Sequence, residues 1–218
     1  TFLTQLDEAS AQKADVFITP ECWLDGYASP DETSTPEKLR TIAQDLNSSA
    51  YLARVSEEAK KRSMMICFGF TSIENDKLFN AAGLWDAQGK RIGLYHKTHL
   101  QAHDLQYSPG EGLPVWDSPF GKVGIMICYD TITPEPAQVY SLLGAELLIF
   151  PHVISIHQNG DQFDLRTRAR ALDACVYVAS CGWARPHDPG EPGPLSGTCV
   201  IDYEGRVTAQ AAKDTKDI

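Results

Sequence analysis

Short apolar runs alternate with stretches of helical period along these 218 residues, and the two patterns predict most of the elements. Phe2, Leu3, Leu6 and Ala9 fall on one side of a helix over residues 1–14. Asp15-Val16-Phe17-Ile18-Thr19 reads as a short buried strand that stops at Pro20-Glu21. A polar loop follows, then a helical stretch from about Pro36, broken near Asn47-Ser48-Ser49. It ends on Lys60-Lys61-Arg62, where basic side chains suit the negative end of a helix. Residues 64–70 form a strand, and 78–85 with 91–95 a hairpin around Asp86-Ala87-Gln88-Gly89-Lys90. Residues 114–117 and 122–128 make a second hairpin through Ser118-Pro119-Phe120-Gly121. A helix over 135–143, a strand over 146–150 and a helix over 161–174 come next. Strands over 175–181 and 197–201 precede a Tyr203-Glu204-Gly205 turn before Val207.

Hairpins mixed with crossover helices suit two sheets packed face to face with helices outside them. No repeat, low-complexity tract or linker interrupts the chain, so residues 1–218 are expected to form a single domain, and 186–194 a Pro/Gly-rich loop within it. The opening helix lacks a preceding strand and the chain stops soon after a final one. A missing N-terminal strand and a missing C-terminal end are therefore expected.

Composition narrows the possible partners. The net charge of −10 disfavours a phosphate-backbone partner, which usually meets a basic face. No run approaches the ~20 apolar residues that cross a bilayer, and no signal-peptide pattern opens the chain. The six cysteines are scattered, without a C-x-x-C pair, and several lie in strand-like runs. They read as free thiols in a reducing compartment, and the expected location is cytoplasmic.

The candidate chemistry gathers at strand ends. Cys128 closes the apolar run Val123-Gly124-Ile125-Met126-Ile127 and precedes Tyr129-Asp130, so a thiol stands where a buried strand opens into a loop. Taken alone, such a cysteine is an inert small hydrophobe. Glu21 follows another strand and the stiff Pro20, and Lys97 follows a third within Tyr95-His96-Lys97-Thr98-His99-Leu100. A thiol of pKa about 8.5 needs a base beside it to act at neutral pH. A thiol, a carboxylate and an ammonium are the parts of an amide-cleaving site.

Three segments carry a resemblance. Pro20-Glu21 with Gly26-Tyr27, then residues 95–100, then Gly124–Asp130 with Pro134-Glu135, are similar in kind and order to the signature segments of the nitrilase superfamily of carbon–nitrogen hydrolases. Arg168-Ala169-Arg170-Ala171-Leu172 and Ser196-Gly197-Thr198 leading to Ile201-Asp202 and Gly205 extend it over nearly the whole chain.

The resemblance implies an α/β (α+β) fold, a four-layer-forming α-β-β-α sandwich of two mixed sheets flanked by helices. It implies no metal, no organic cofactor, and a homodimer or larger homo-oligomer. It assigns Cys128 as nucleophile, Glu21 as general base and Lys97 as the cation that holds the tetrahedral oxyanion, with the backbone N–H of Tyr129. Many members add a second acid. Counting forward from Lys97 places Asp104 there, whereas counting back from Pro109-Gly110 places His103. Asp104 is favoured because it keeps a carboxylate. Tyr129, His152 and Trp183 are the expected substrate contacts, with Trp23 a further wall of the acyl pocket.

Tyr129-Asp130 after the cysteine resembles amidase and N-carbamoyl-amine hydrolase members, whereas nitrilases more often carry Trp-Glu there. The expected substrate is accordingly a small amide or carbamoyl compound cleaved through a thioester, with nitrile hydrolysis as the alternative. Two other classes remain open. His96, His99 and His103 have a spacing that would line one helix face and could hold a metal for hydrolysis, and the sandwich could also serve as a non-catalytic binding module.

Overall fold

The computed structural model describes residues 2–29, 34–153, 160–183 and 197–211. It divides into two compact units, residues 1–112 and 113–217.

In the first unit, helix α1 (Phe2–Ala11) leads into strand β1 (Val16–Ile18). The stretch expected to be a broken helix is two helices, α2 (Pro36–Ile42) and α3 (Ala50–Arg62). The break has a local cause: the Ser49 hydroxyl accepts from Leu52 N–H and caps α3, while Asp45 ties down Asn47 and Ser48. Thr35 caps α2, with Pro36 at its first turn.

The sheet runs β1, β2 (Met65–Glu74), β3 (Lys77–Trp85), β4 (Arg91–His96). The β1–β2 pair is parallel, with α2 and α3 between the two strands, and the other two pairs are antiparallel. Met65 to Ser72 are all buried, so this strand carries no alternation. Leu6, Ala9, Leu52, Val55 and Ala59 of the helices pack with Ile66, Phe68 and Phe70 in the core.

The second unit has a sheet in the order β10 (Val207–Gln210), β9 (Cys199–Ile201), β8 (Tyr177–Gly182), β7 (Leu147–His152), β6 (Gly121–Ile125), β5 (Trp116–Ser118). Its central strands β6, β7 and β8 run parallel, and the outer pairs are antiparallel. Parallel neighbours need crossovers, supplied by α4 (Glu135–Leu142) and α5 (Gly160–Ala174). Ala137 and Tyr140 of α4 and Phe163, Ala171 and Ala174 of α5 pack with Leu148, Phe150 and Val178.

Two mixed sheets flanked by helices are thus present. Strand β6 ends at Ile125, earlier than the run up to Cys128 suggested, because the chain turns into a 3-10 turn over Cys128–Thr131. Among the described residues no helix is long and apolar enough to cross a membrane. The Pro/Gly-rich loop over 186–194 lies outside the described residues.

Candidate active site

Glu21 sits one turn past β1, on a segment held against β2. Thr19 N–H donates to Cys67 O at 2.9 Å and Leu24 N–H to Gly69 O at 3.2 Å, so the chain crosses directly over Gly69. A Cβ on Gly69 would lie 2.4 Å from the Pro20 carbonyl oxygen. That glycine is a requirement of close backbone approach. Asp25 completes the attachment: its carboxylate accepts from Tyr27 N–H at 3.1 Å and from Thr71 N–H at 2.8 Å.

Lys97 follows β4 and extends its ladder, donating N–H to Asn80 O on β3 at 2.9 Å. Its carbonyl accepts from Gly110 N–H at 2.9 Å. Asp104 closes a 3-10 turn over Ala102–Asp104.

These three side chains meet in the interior of the first unit. The Lys97 Nζ donates to Glu21 Oε1 at 2.8 Å and to Asp104 Oδ2 at 2.6 Å, and all three side chains are fully buried. Asn80 Nδ2 donates to Glu21 Oε1 at 2.7 Å. One ammonium between two carboxylates leaves a surplus negative charge in a place without solvent. Burial accordingly pushes the Glu21 carboxyl above its ordinary value; Lys97 pulls it down and the charge of Asp104 pushes it up. A carboxyl shifted upward holds a proton more readily than a free one, which suits a group that both takes and returns a proton.

Neighbouring Cys22 is also buried, at a positive φ of 44°. Burial raises its thiol well above the ordinary value, and the charges of Asp25 and Glu21 add to that. It is held as a thiol.

In the second unit, Cys128 opens the 3-10 turn beyond β6 with φ at +45°, a conformation that non-glycine residues seldom adopt. Its Sγ donates to Val153 O at 3.4 Å. The turn is closed from inside: Asp130 Oδ2 accepts from Ile127 N–H at 2.8 Å, and Thr131 Oγ1 donates to Cys128 O at 3.0 Å. Arg170 of α5 binds the far side, donating to Thr131 O at 3.1 Å and Ile132 O at 3.3 Å. On α4, the Tyr140 hydroxyl donates to Ile125 O, and a Cβ on Gly124 would lie 2.5 Å from the Tyr140 ring. Four side chains, those of Asp130, Thr131, Arg170 and Tyr140, therefore hold the backbone on which the thiol stands.

The expected substrate contacts have different surroundings. Tyr129 is half-buried on the turn behind Cys128, and Trp183 is half-buried just past β8. His152 is fully buried at the end of β7, with Nε2 and Ser180 Oγ 3.0 Å apart and its ring against Phe150 and Phe163. Burial drives its pKa down to about 3, opposed by a hydrogen bond to the Gly197 backbone, so it is a neutral ring in the core of this unit. Trp23 packs between Phe2 and Phe68 in the core of the first unit.

His96, His99 and His103 do not form a ligand set. His96 stacks on Phe79 and faces Glu74 at 2.8 Å, His99 Nδ1 lies 2.9 Å from Thr98 Oγ1, and His103 lies 2.8 Å from the Tyr27 hydroxyl. Among the described residues no group of three or more His, Cys, Asp and Glu is arranged to hold a metal ion. The helix face imagined for these histidines does not exist, because His96 ends a strand.

The model of the carbon–nitrogen hydrolase family matches residues 1–218. The chain belongs to that family. It is 31% identical over 220 residues to the omega-amidase NIT2-A of Xenopus laevis, covering 96% of this chain and 76% of that protein. It is 29% identical to the omega-amidase NIT2 of Mus musculus over 95% of this chain and 76% of the other. Among solved structures, Saccharomyces cerevisiae Nit3, a member of branch 10 of the nitrilase superfamily, superposes with a TM-score of 0.82 at 26% identity, over 96% of this chain and 78% of that one. A Nesterenkonia AN1 amidase shares the fold, with a TM-score of 0.74 at 21% identity over 93% and 76% of the two chains.

As a carbon–nitrogen hydrolase, the chain carries its acids and its ammonium in one unit and its strand-end thiol in the other. Sequence reading missed Asn80, Gly69 and the clamp by Arg170. The first two had a signal: a polar residue and a glycine inside otherwise apolar strands.

Proposed function

We propose that the chain hydrolyses the carbon–nitrogen bond of small amides through a thioester on Cys128. Glu21 takes the thiol proton, and the thiolate attacks the carbonyl carbon. The oxyanion so formed is held by the Lys97 ammonium and the backbone N–H of Tyr129. A preorganised donor of this kind contributes about 3–4 kcal/mol to transition-state stability at a buried site. The carbon–nitrogen bond breaks as Glu21 returns the proton to the leaving nitrogen, releasing ammonia or an amine. Glu21 then deprotonates a water that cleaves the thioester, which frees the acid and restores the thiol. Asp104 accepts the second hydrogen bond from the Lys97 ammonium.

The observation that carries this reading is the buried contact of Lys97 Nζ with both Glu21 and Asp104, at 2.8 Å and 2.6 Å. An ammonium in that position is costly unless its charge has work to do. The strained backbone at Cys128 supports the same role, and amide rather than nitrile chemistry is supported by the omega-amidase relatives.

The test is a panel of amide, carbamoyl and nitrile compounds assayed for ammonia, with mass spectrometry of the protein under turnover. Amides are expected to give ammonia and an acyl adduct on Cys128. Cys128→Ala is expected to lose at least about 10³-fold in kcat with unchanged folding. Near-normal turnover by that variant overturns the reading.

The reading extends to a cytoplasmic homodimer or larger homo-oligomer. Leu142 on α4 and Leu165 and Leu172 on α5, 88%, 67% and 53% exposed, supply apolar surface for it, and a monomeric sedimentation value at micromolar concentration would refute that part.

A further inference from the structure

The second acid of this chain is an aspartate, and its free oxygen has a partner of its own. Asp104 Oδ2 faces Lys97, while Oδ1 accepts a hydrogen bond from the Tyr27 hydroxyl at 3.1 Å. The Tyr27 hydroxyl also lies 2.8 Å from His103 Nε2. With the phenol proton given to Asp104, the phenol oxygen accepts from Nε2–H, which defines both directions of the pair.

His103 is 38% exposed, and its backbone carbonyl accepts from the buried Ser29 hydroxyl at 2.6 Å. Tyr27 is equally constrained. It has a positive φ of 57° beside Gly26, donates N–H to Cys22 O at 3.1 Å, and meets the His103 ring edge-on at 5.9 Å. A tyrosine is therefore held in an unusual backbone conformation with its hydroxyl against a buried carboxylate.

A row of hydrogen bonds results, running from His103 through Tyr27, Asp104, Lys97 and Glu21 to Asn80. An aspartate has one methylene fewer than a glutamate to reach the lysine, so the placement of its carboxylate depends on what lies behind it. We propose that Tyr27 is a positioning residue for Asp104, with His103 as its outer support, and that through Asp104 it sets the orientation of the Lys97 ammonium. This inference rests on the reading of Lys97 as the cation that meets the oxyanion.

Tyr27→Phe removes only the hydroxyl oxygen and keeps the ring. It is expected to lower kcat about tenfold while KM changes less than about twofold, the size of one hydrogen bond to a charged group. A role confined to structure would show in melting temperature and not in that split. A double-mutant cycle supplies the second reading: in an Asp104→Asn background, Tyr27→Phe is expected to cost almost nothing further. Unchanged kcat in Tyr27→Phe, or the same loss in both backgrounds, overturns the proposal.

Should Tyr27→Phe not fold, His103→Leu at the exposed end of the row is expected to lower kcat about threefold, and wild-type kcat there overturns it equally. The two levels separate cleanly. Turnover surviving Cys128→Ala removes the mechanism itself, whereas wild-type kcat in Tyr27→Phe, when Cys128→Ala by itself does abolish turnover, removes this inference alone.

Discussion

Asp104 decides more at the single-residue scale than its place in a loop suggested. Two ways of counting pointed to Asp104 or to His103 as second acid, with Asp104 favoured for its carboxylate, and the 3-10 turn sets them apart: Asp104 is aimed inward at Lys97, and His103 outward at the Tyr27 hydroxyl. Its charge bears directly on Glu21, the proposed general base. Burial holds the Glu21 carboxyl above its ordinary value of 4.5, with Lys97 opposing and the negative charge of Asp104 adding to the rise. In the proposed role Glu21 must be ionised to act, so activity is expected to rise with pH through the Glu21 titration, on a limb above 4.5. Asp104→Asn removes a charge that favours protonated Glu21. The acid limb of kcat/KM is therefore expected to move to lower pH, while kcat falls about tenfold as Lys97 loses a charged partner. A limb that stays in place or moves to higher pH contradicts the electrostatic account of the cluster.

The chemistry at the scale of elements depends on where strands end and on what is allowed to cross them. Glu21, Lys97 and Cys128 each stand just beyond a strand, β1, β4 and β6, where backbone is anchored on one side and free to turn on the other. The apolar runs made this legible in the sequence, because a run ends where burial ends. The crossing of residues 20–24 over β2 was not legible, since Gly69 declares a close approach without saying of what. Gly69→Ala places a Cβ 2.4 Å from the Pro20 carbonyl, a backbone atom that cannot swing away. The segment must lift, and Glu21 with it. A displacement on the order of 1 Å costs about 10²-fold in rate, so kcat/KM is expected to fall by at least that much, with a lower Tm. Wild-type kinetics in Gly69→Ala would show that the crossing does not position Glu21 for its proposed role.

Stability toward acid belongs to the whole molecule, and His152 contributes to it. Its folded pKa, about 3, lies below the ordinary 6.5 because the ring is buried. Between those values the unfolded chain binds a proton that the folded protein does not. Stability therefore falls as pH drops through that window, by at most about 1.4 kcal/mol per pH unit. Replacing the ring by a group that does not titrate, as in His152→Asn, is expected to flatten the slope of urea-unfolding free energy between pH 6 and 4, even if the variant is less stable throughout. An unchanged slope would mean that other groups carry the acid sensitivity. The net charge of −10 works the other way: it shrinks as carboxylates are protonated, and self-repulsion falls with it.

The apolar and polar pattern determined the succession of strands and helices and the strand-end placement of an acid, an ammonium and a thiol, and the resemblance of the segments around them pointed to the family. Those properties are local, because a strand's end, a cap or a turn is written in the few residues that form it. Only tertiary structure decided which acid faces Lys97, that Asn80 holds Glu21, that Tyr27 stands behind Asp104 and that Arg170 clamps the turn of Cys128. Each of those is a hydrogen bond whose direction is set by where distant backbone segments come to lie against one another, and neither spacing nor composition carries that direction.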